Sequence, residues 1–177
     1  MKLEIRIYPD SILKQKAEEI EKMTPEIKEL ILQMKETMTE EKPVLSQRAN
    51  GEGKVKGVGL AGNQVGILKR VIVVLTKKGL KGFINPRILK LSKEKEIGKE
   101  GCLSLPGLWL EIKRPTWVEV KAINEEGQEI EFKAEGFLAR IFQHEIDHLD
   151  GILFFERLGF FEKLRVKRKL NSRYAAT

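Results

Sequence analysis

The stretch QHEIDHLDG, residues 143–151, contains both histidines of the chain and decides how the rest of the sequence is interpreted. His144 and His148 are four residues apart, so on an α-helix they lie on the same face, one turn from each other. Glu145 follows the first histidine and completes the pattern H-E-x-x-H. In this pattern the two imidazoles bind a metal ion, and the glutamate lies beside the open coordination position.

A buried helix is predicted around these histidines. Phe137 and Ile141 precede His144 at helical spacing, which extends an apolar stripe along one face. We expect the helix to run from about residue 134 to residue 150 and to stop at Gly151, since glycine readily takes the left-handed conformation that ends a helix. Two imidazoles on one buried stripe would be costly without a shared partner, which favours a metal between them.

The third protein ligand is the open question, because a hydrolytic metal site usually has three. Metzincin proteases place a third histidine where this chain has Phe154, so that class is excluded. Glu156 or Glu162 would make the chain a small zinc metallopeptidase with an acidic third ligand, although both lie close in sequence to the second histidine. The remaining candidate is Cys102, the only cysteine, whose thiolate a metal would stabilise.

A site of this composition predicts a hydrolase that acts on carbonyl compounds. A divalent ion with an open position activates water and polarises a carbonyl, and Glu145 is placed to act as the base. The reaction also needs a donor for the oxyanion, and Gln64 in the segment GVGLAGNQVG offers an amide in a glycine-rich turn. Taken alone, this glutamine would be interpreted as an exposed turn residue.

The rest of the chain predicts an α+β fold. Thr24 and Pro25 begin an amphipathic helix, RVIVVL predicts a buried strand, and TWVEVKAINEEGQEIEFKA predicts a hairpin that turns near Gly127. The segments GFINPRIL and EGCLSLPG suit strand ends and tight loops, and residues 42–56 suit a surface loop. We therefore expect antiparallel or mixed β-sheets packed around a central metal-binding helix that carries H-E-x-x-H, with an N-terminal amphipathic helix and a C-terminal helix.

The composition predicts one soluble globular domain over residues 1–177. The first 20 residues do not resemble a secretory signal and no apolar run is long enough to span a membrane, so we expect a cytoplasmic protein. The net charge of +7 suggests attraction to polyanions and leaves open a non-catalytic ribosome- or RNA-binding module with a structural metal. Residues 160–177 predict a basic helix with Phe161, Leu164 and the stem of Arg168 on its packed side.

Three segments, GVGLAGNQVG, EGCLSLPG and QHEIDHLDG, together resemble in order and spacing the signature motifs of peptide deformylase. This resemblance implies an enzyme that removes the formyl group from N-terminal formylmethionine of nascent polypeptides and releases formate. It implies a metal held by Cys102, His144 and His148, a general base at Glu145, and an oxyanion hole made by Gln64 and the backbone N–H of Leu103. It further implies substrate contacts, through backbone pairing and a methionine pocket, at Val58, Gly59, Phe137, Arg140 and Ile141.

The resemblance also implies a cofactor, partners and one supporting ion pair. The cofactor is one divalent metal ion, Fe²⁺ in the cell, with Zn²⁺, Ni²⁺ or Co²⁺ as alternatives in the isolated protein. The partners are N-formylmethionyl peptides and, through the basic C-terminal helix, the ribosome surface, with no stable nucleic-acid complex and no membrane. Glu100 and Arg114 are expected to pair and support the cysteine loop. The chain departs from the family at Gly62, where a second alanine is usual, and we expect the missing methyl to loosen that turn.

Overall fold

The computed structural model describes residues 2–39 and 57–174, so the loop predicted at 42–56 lies outside the described residues. The described part contains three α-helices, seven strands and three short 3₁₀ helices. In chain order the α-helices and strands are α1 (Pro25–Met38), β1 (Gly59–Ala61), β2 (Val71–Thr76), β3 (Gly79–Leu91), β4 (Lys95–Cys102), β5 (Leu105–Pro115), β6 (Trp117–Ile123), β7 (Glu129–Glu135), α2 (Gly136–Leu149) and α3 (Phe160–Tyr174).

The strands form two antiparallel sheets, which confirms the predicted α+β class. Five strands pair in the order β1-β2-β3-β6-β7, and β4 pairs with β5 in a separate two-stranded sheet. The predicted buried strand is β2, in which Val71, Ile72, Val73 and Val74 are all fully buried. The predicted hairpin is formed by β6 and β7. Most of the strand content predicted from the sequence is therefore present.

The helix that carries both histidines lies at the centre of the fold. α2 contacts strands of both sheets, and every residue from Ala139 to Leu149 is buried. The helix ends as predicted, because Gly151 has a φ of +73° and its N–H donates to the carbonyl of His148. The N–H of Ile152 donates to the carbonyl of Asp147, which completes a Schellman motif. This ending fixes the last turn of α2, where the second histidine lies.

The interpretation of GFINPRIL as strand ends and loops was wrong. These residues lie inside the long strand β3. The strand passes through them because Asn85 takes a positive φ of +50° and the pairing with β6 shifts register between Ile84 and Arg87. The side chain of Asn85 bonds both the N–H and the carbonyl of Ile20, which holds the irregularity in place.

The two terminal helices pack on different faces of this core. α1 begins after Thr24 as predicted, and its buried face consists of Leu30, Ile31, Thr37 and two methionines, Met34 and Met38. α3 buries Val166 and Leu170 against a cluster that includes Tyr8, Leu105 and Phe155.

The predicted packed side of α3 was wrong. Phe161 is 82% exposed, Leu164 is 38% exposed, and Arg168 is also exposed. The apolar pair that packs, Val166 and Leu170, is offset by two residues from the predicted one, because the helix turns that face toward β5 and the cysteine loop. Among the helices of residues 2–39 and 57–174, none is both long and apolar enough to cross a membrane.

Candidate metal centre

The structure brings Cys102, His144 and His148 together. Cys102 is the last residue of β4 and the two histidines lie on α2. Their candidate ligand atoms lie within 4.8 Å of one another, and Cys102 Sγ is 3.2 Å from His148 Nε2. Both histidines are buried, whereas the cysteine is partly exposed. One soft thiolate and two imidazoles on a small, partly open site are a donor set that fits a catalytic divalent metal.

A buried carboxylate sets the orientation of His144. Glu100 Oε2 lies 3.0 Å from Nδ1 of His144, so that nitrogen donates to Glu100 and Nε2 is left for the site. Arg114 holds Glu100 with two hydrogen bonds of 2.6 and 3.0 Å, which confirms the expected pair. Burial alone would raise the pKa of Glu100, but the hydrogen bonds from His144 and Arg114 outweigh it and lower this pKa to about 2.

The electrostatics of the site favour one added positive charge. Burial alone would lower the pKa of His144, but its hydrogen bonds to Cys102 and Glu100 outweigh it and raise this pKa to about 10. Burial, followed by the charge of His144, lowers the pKa of His148 well below its usual value. The cluster thus attracts one cation, either a proton on His144 or a metal between the ligands, and this agrees with the donor set.

Glu145 faces the same site from α2. It is buried, and Oε2 is among the few buried side-chain atoms of the described residues that have no hydrogen-bond partner. Burial raises the pKa of Glu145 to about 7. The backbone of Gly59 approaches it so closely that a Cβ there would lie 2.6 Å from Glu145 Cδ. The glycine motif therefore makes room for this carboxylate, and a free carboxylate with a pKa near neutrality is suited to proton transfer.

Gln64 is buried rather than exposed, which corrects the interpretation that its turn alone would suggest. Its Oε1 accepts from the N–H of Ala61 at 2.8 Å, so its amide nitrogen is oriented. That nitrogen lies 3.3 Å from Cys102 Sγ and 3.3 Å from Ser104 Oγ. Leu103 lies in the turn between β4 and β5, next to the cysteine. The amide nitrogen of Gln64 and the residue after the cysteine therefore both lie next to the candidate ligand Cys102.

The turn at Gly62 is tight, so the expectation that it would be looser was wrong. A Cβ at Gly62 would lie 2.6 Å from the carbonyl oxygen of Lys69 and 2.7 Å from that of Ile67. The N–H of Ile67 also donates to the carbonyl of Gly62 at 2.9 Å. Glycine here permits close backbone packing two residues before Gln64.

Four of the five predicted substrate contacts lie beside Glu145 or line a cleft, and their role in binding substrate stays a prediction. Gly59 is the first residue of β1 and lies against Glu145. Val58 directly precedes the strand and is 38% exposed. Phe137 and Ile141 line a cleft of about 420 Å³ beside the end of β2.

Arg140 does not line this cleft. It is buried and donates to Glu100 and to the backbone carbonyls of Ile112 and Glu96. Gly98 makes this possible, since a Cβ there would lie 2.7 Å from the guanidinium carbon. The prediction of Arg140 as a pocket residue is corrected accordingly, because its polar atoms are occupied by the β4–β5 sheet.

The acidic alternatives for the third ligand lie elsewhere. Glu156 Oε2 accepts from the N–H of Leu153 at 3.1 Å within its own turn. Glu162 lies in the first turn of α3. The sequence did not single out Asp147, a buried acid between the two histidines that Arg114 and Arg157 bind. Its position inside H-E-x-x-H was visible, but its partners come from distant segments.

The fold and the site define a metal-dependent hydrolase of the H-E-x-x-H class. Residues 2–163 match the family model described as polypeptide deformylase. The chain is 46% identical over 151 residues to a peptide deformylase of Desulforudis audaxviator, covering 85% of this chain and 89% of the relative. It is 42% identical over 176 residues to that of Thermodesulfovibrio yellowstonii, covering 97% and 98% of the two chains. The chain belongs to the polypeptide deformylase family.

Solved structures agree with this assignment. The crystal structure of peptide deformylase from Ehrlichia chaffeensis superposes with a TM-score of 0.81 at 35% identity, covering 99% of this chain and 98% of that one. The predicted enzyme class, a hydrolase that removes the formyl group from N-terminal formylmethionine, is thereby confirmed over the metallopeptidase with an acidic third ligand.

Proposed function

We propose that Cys102, His144 and His148 hold the catalytic metal of this deformylase. The observation that carries the proposal is the convergence of their three ligand atoms within 4.8 Å. When bound, a divalent ion supplies Lewis-acid polarisation of the formyl carbonyl and makes water more acidic. We propose Fe²⁺ as the ion in the cell and Zn²⁺, Ni²⁺ or Co²⁺ as replacements in the isolated protein, since a thiolate with two imidazoles suits all of these.

Glu145 moves the proton in this proposal. It takes a proton from the attacking water and gives it to the amine that leaves, so formate and a free N-terminus result. Its burial and its pKa of about 7 suit both steps, because the group can accept and return a proton near neutral pH. Its unpartnered Oε2 is available for that exchange.

Gln64 and Leu103 stabilise the oxyanion in this proposal. The amide nitrogen of Gln64 is already fixed by the bond between Oε1 and Ala61, so it need not reorganise during the reaction. The N–H of Leu103 is the second donor, from the turn that follows the metal-binding cysteine. Two fixed donors beside the thiol match the demand of an acyl transfer for preorganised charge stabilisation.

The substrate is held by backbone and by apolar side chains in this proposal. The peptide adds as a strand alongside Val58 and Gly59, at the edge of the five-stranded sheet where β1 is the terminal strand. The methionine side chain packs against Phe137 and Ile141. A formyl carbon carries only a hydrogen, so crowding of Glu145 against Gly59 is compatible with the formyl group and disfavours larger acyl groups.

The test is an assay of protein purified without oxygen, with metal analysis, on a formyl-Met peptide and on its acetyl counterpart. We expect one metal per chain and hydrolysis of the formyl peptide, with a rate on the acetyl peptide lower by at least about 100-fold, as expected where one group is sterically excluded from a site. Equal rates on both peptides would contradict the proposed selectivity.

We also propose that α3 contacts the ribosome, which places the enzyme in the cytoplasm where nascent chains emerge. Removing the whole helix would be a poor test because Val166 and Leu170 are buried in the core. A better test replaces by glutamine three exposed basic residues of α3: Arg165, Arg168 and Lys169. We expect weaker ribosome binding with a smaller dependence on salt, measured by co-sedimentation at several salt concentrations.

A matched control for α3 keeps the same change in net charge. It replaces by glutamine three exposed lysines outside α3: Lys22, Lys28 and Lys93. Ribosome binding should remain at its original strength in this control, and turnover of a free formyl peptide should be unchanged in both variants. Equal losses of binding in the two variants would mean that net charge, and not α3, determines the contact.

A further inference from the structure

A continuous chain of charged side chains runs from the metal centre to the protein surface. It begins at His144, whose Nδ1 lies 3.0 Å from Glu100. Arg114 bonds Glu100 through Nε and one terminal nitrogen, and its other terminal nitrogen donates to Asp147 Oδ2 at 2.8 Å. Arg157 completes the chain by binding both oxygens of Asp147, with Nε to Oδ2 at 3.0 Å.

Only the outer end of this chain meets solvent. The side chains of Glu100 and Arg114 are each 4% exposed and that of Asp147 is 8% exposed, whereas that of Arg157 is 46% exposed. A buried carboxylate that loses a charged partner carries a large desolvation cost, so Asp147 depends on both arginines. Arg157 comes from the short 3₁₀ helix Phe154–Arg157, which follows α2.

We propose that Arg157, acting through Asp147 and Arg114, is a positioning residue for the metal ligand His144. This inference rests on the proposed Cys-His-His metal site. Asp147 Oδ1 has Arg157 as its bonded partner, so without Arg157 the buried carboxylate competes with Glu100 for Arg114. When Arg114 binds Glu100 more weakly, Glu100 keeps its bond from Arg140 and shifts toward it, and the imidazole that Glu100 orients moves as well.

The two histidines differ in this respect. His148 Nδ1 is buried and has no hydrogen-bond partner among the described residues, so the chain acts on the pair of ligands through His144 alone. Asp147 also lies between the two ligands on α2, one residue before His148. A shift of Asp147 is passed by Arg114 and Glu100 to His144, whose Nδ1 Glu100 binds.

A second buried ion pair provides a matched control. Arg70 is buried and its terminal nitrogen donates to Asp150 Oδ1 at 2.6 Å, directly after the last turn of α2. This pair resembles the pair of Arg157 and Asp147 in having one buried and one partly exposed member, with the roles reversed. No side-chain hydrogen bond among the described residues links Arg70 or Asp150 to a candidate metal ligand. Breaking the pair of Arg70 and Asp150 therefore measures how much the loss of a comparable ion pair near α2 destabilises the protein.

The experiment uses protein loaded with Co²⁺, because a thiolate bound to cobalt gives a charge-transfer band that reports on the site. Release of Co²⁺ to a chelator is timed for the wild type, Arg157→Met, Arg157→Lys and Asp150→Asn. We expect Arg157→Met to release Co²⁺ about tenfold faster, at the low end of the effect of an outer-shell partner on metal affinity. Arg157→Lys should recover part of the difference, and Asp150→Asn should release Co²⁺ at the wild-type rate.

Thermal unfolding of each metal-free variant separates positioning from general stability. A purely structural role would lower the melting temperature of both Arg157→Met and Asp150→Asn and leave their Co²⁺ release equal. Wild-type release from Arg157→Met, or equal acceleration in Asp150→Asn, would overturn the inference. A wild-type protein that binds Co²⁺ without a thiolate band would instead refute the proposed metal site, so the two failures are distinguishable.

Discussion

Replacing Glu145 by alanine is expected to abolish hydrolysis of formyl peptides while the protein still binds one metal ion. The carboxylate is the proposed carrier of the proton from water to the leaving amine, and loss of such a group lowers kcat by about 10²- to 10⁴-fold. The three candidate ligands remain in the variant. Replacing the carboxylate by a methyl group also removes a buried oxygen that has no hydrogen-bond partner among the described residues. The measurements are kcat/KM on a formyl-Met peptide and metal content by elemental analysis.

Two further variants make this expectation specific to the carboxylate. Glu145→Gln keeps the shape of the side chain and should be as inactive as the alanine variant, since an amide cannot accept the proton. Gly59→Ala keeps the carboxylate but places a methyl group 2.6 Å from its Cδ, so it should lower kcat by displacing Glu145 without loss of metal. Gly159→Ala is the control, because its methyl group would make an ordinary contact at 3.7 Å with Glu162 Oε2, away from the proposed site. An active Glu145→Ala enzyme would refute the assignment.

The convergence of the three candidate ligands could be predicted because its signals are local or exclusive. The spacing of His144 and His148 fixes their common face once a helix is assumed, and the helix is supported by the apolar stripe before them. The third candidate ligand followed from exclusion and resemblance, since Phe154 excludes one class of protease and Cys102 is the only cysteine. Such features do not require knowledge of how distant segments pack.

The predictions that were wrong concern which face of a helix or strand packs against its neighbour. The direction of Arg140 is decided by Gly98, 42 residues earlier in the chain, which leaves space for the guanidinium on the β4–β5 sheet. The packed side of α3 is decided by Tyr8 and Phe155, which receive Val166 and Leu170. Periodicity predicts that such a helix has a packed side but does not fix its rotation when both sides carry apolar residues.

Asp147 shows the same limit inside the best predicted motif. Asp147 occupies one of the two x positions of H-E-x-x-H, where the chemistry of the motif requires no particular residue. Its partners Arg114 and Arg157 are separated from one another by 43 residues (157 minus 114). Burial of an acid on the central helix is tolerable only where both arginines reach it. That condition is a property of the assembled fold and leaves no periodic signal in the sequence.

Replacing Cys102 by serine is expected to remove the metal and, with it, the activity. The thiolate contributes the negative charge and soft donor of the site, and Sγ lies 3.2 Å from Nε2 of His148. A serine hydroxyl is a harder donor that stays protonated, so the remaining two imidazoles hold a divalent ion weakly. In the wild type, metal at 1,000 times its Kd stabilises the fold by about 4 kcal/mol, and this stabilisation should be absent in the variant.

The control for this substitution tests the rival ligand set directly. Glu156→Gln and Glu162→Gln remove the two acidic candidates and should leave one metal per chain, because neither carboxylate belongs to the cluster that Cys102 forms with the histidines. Metal content after gel filtration and the metal-dependent rise in melting temperature measure the outcome in all three variants. If Cys102→Ser retained the metal and Glu156→Gln or Glu162→Gln lost it, the site would be acidic. The thiolate would then have no role in binding, and the convergence of sulfur and imidazoles would need another explanation.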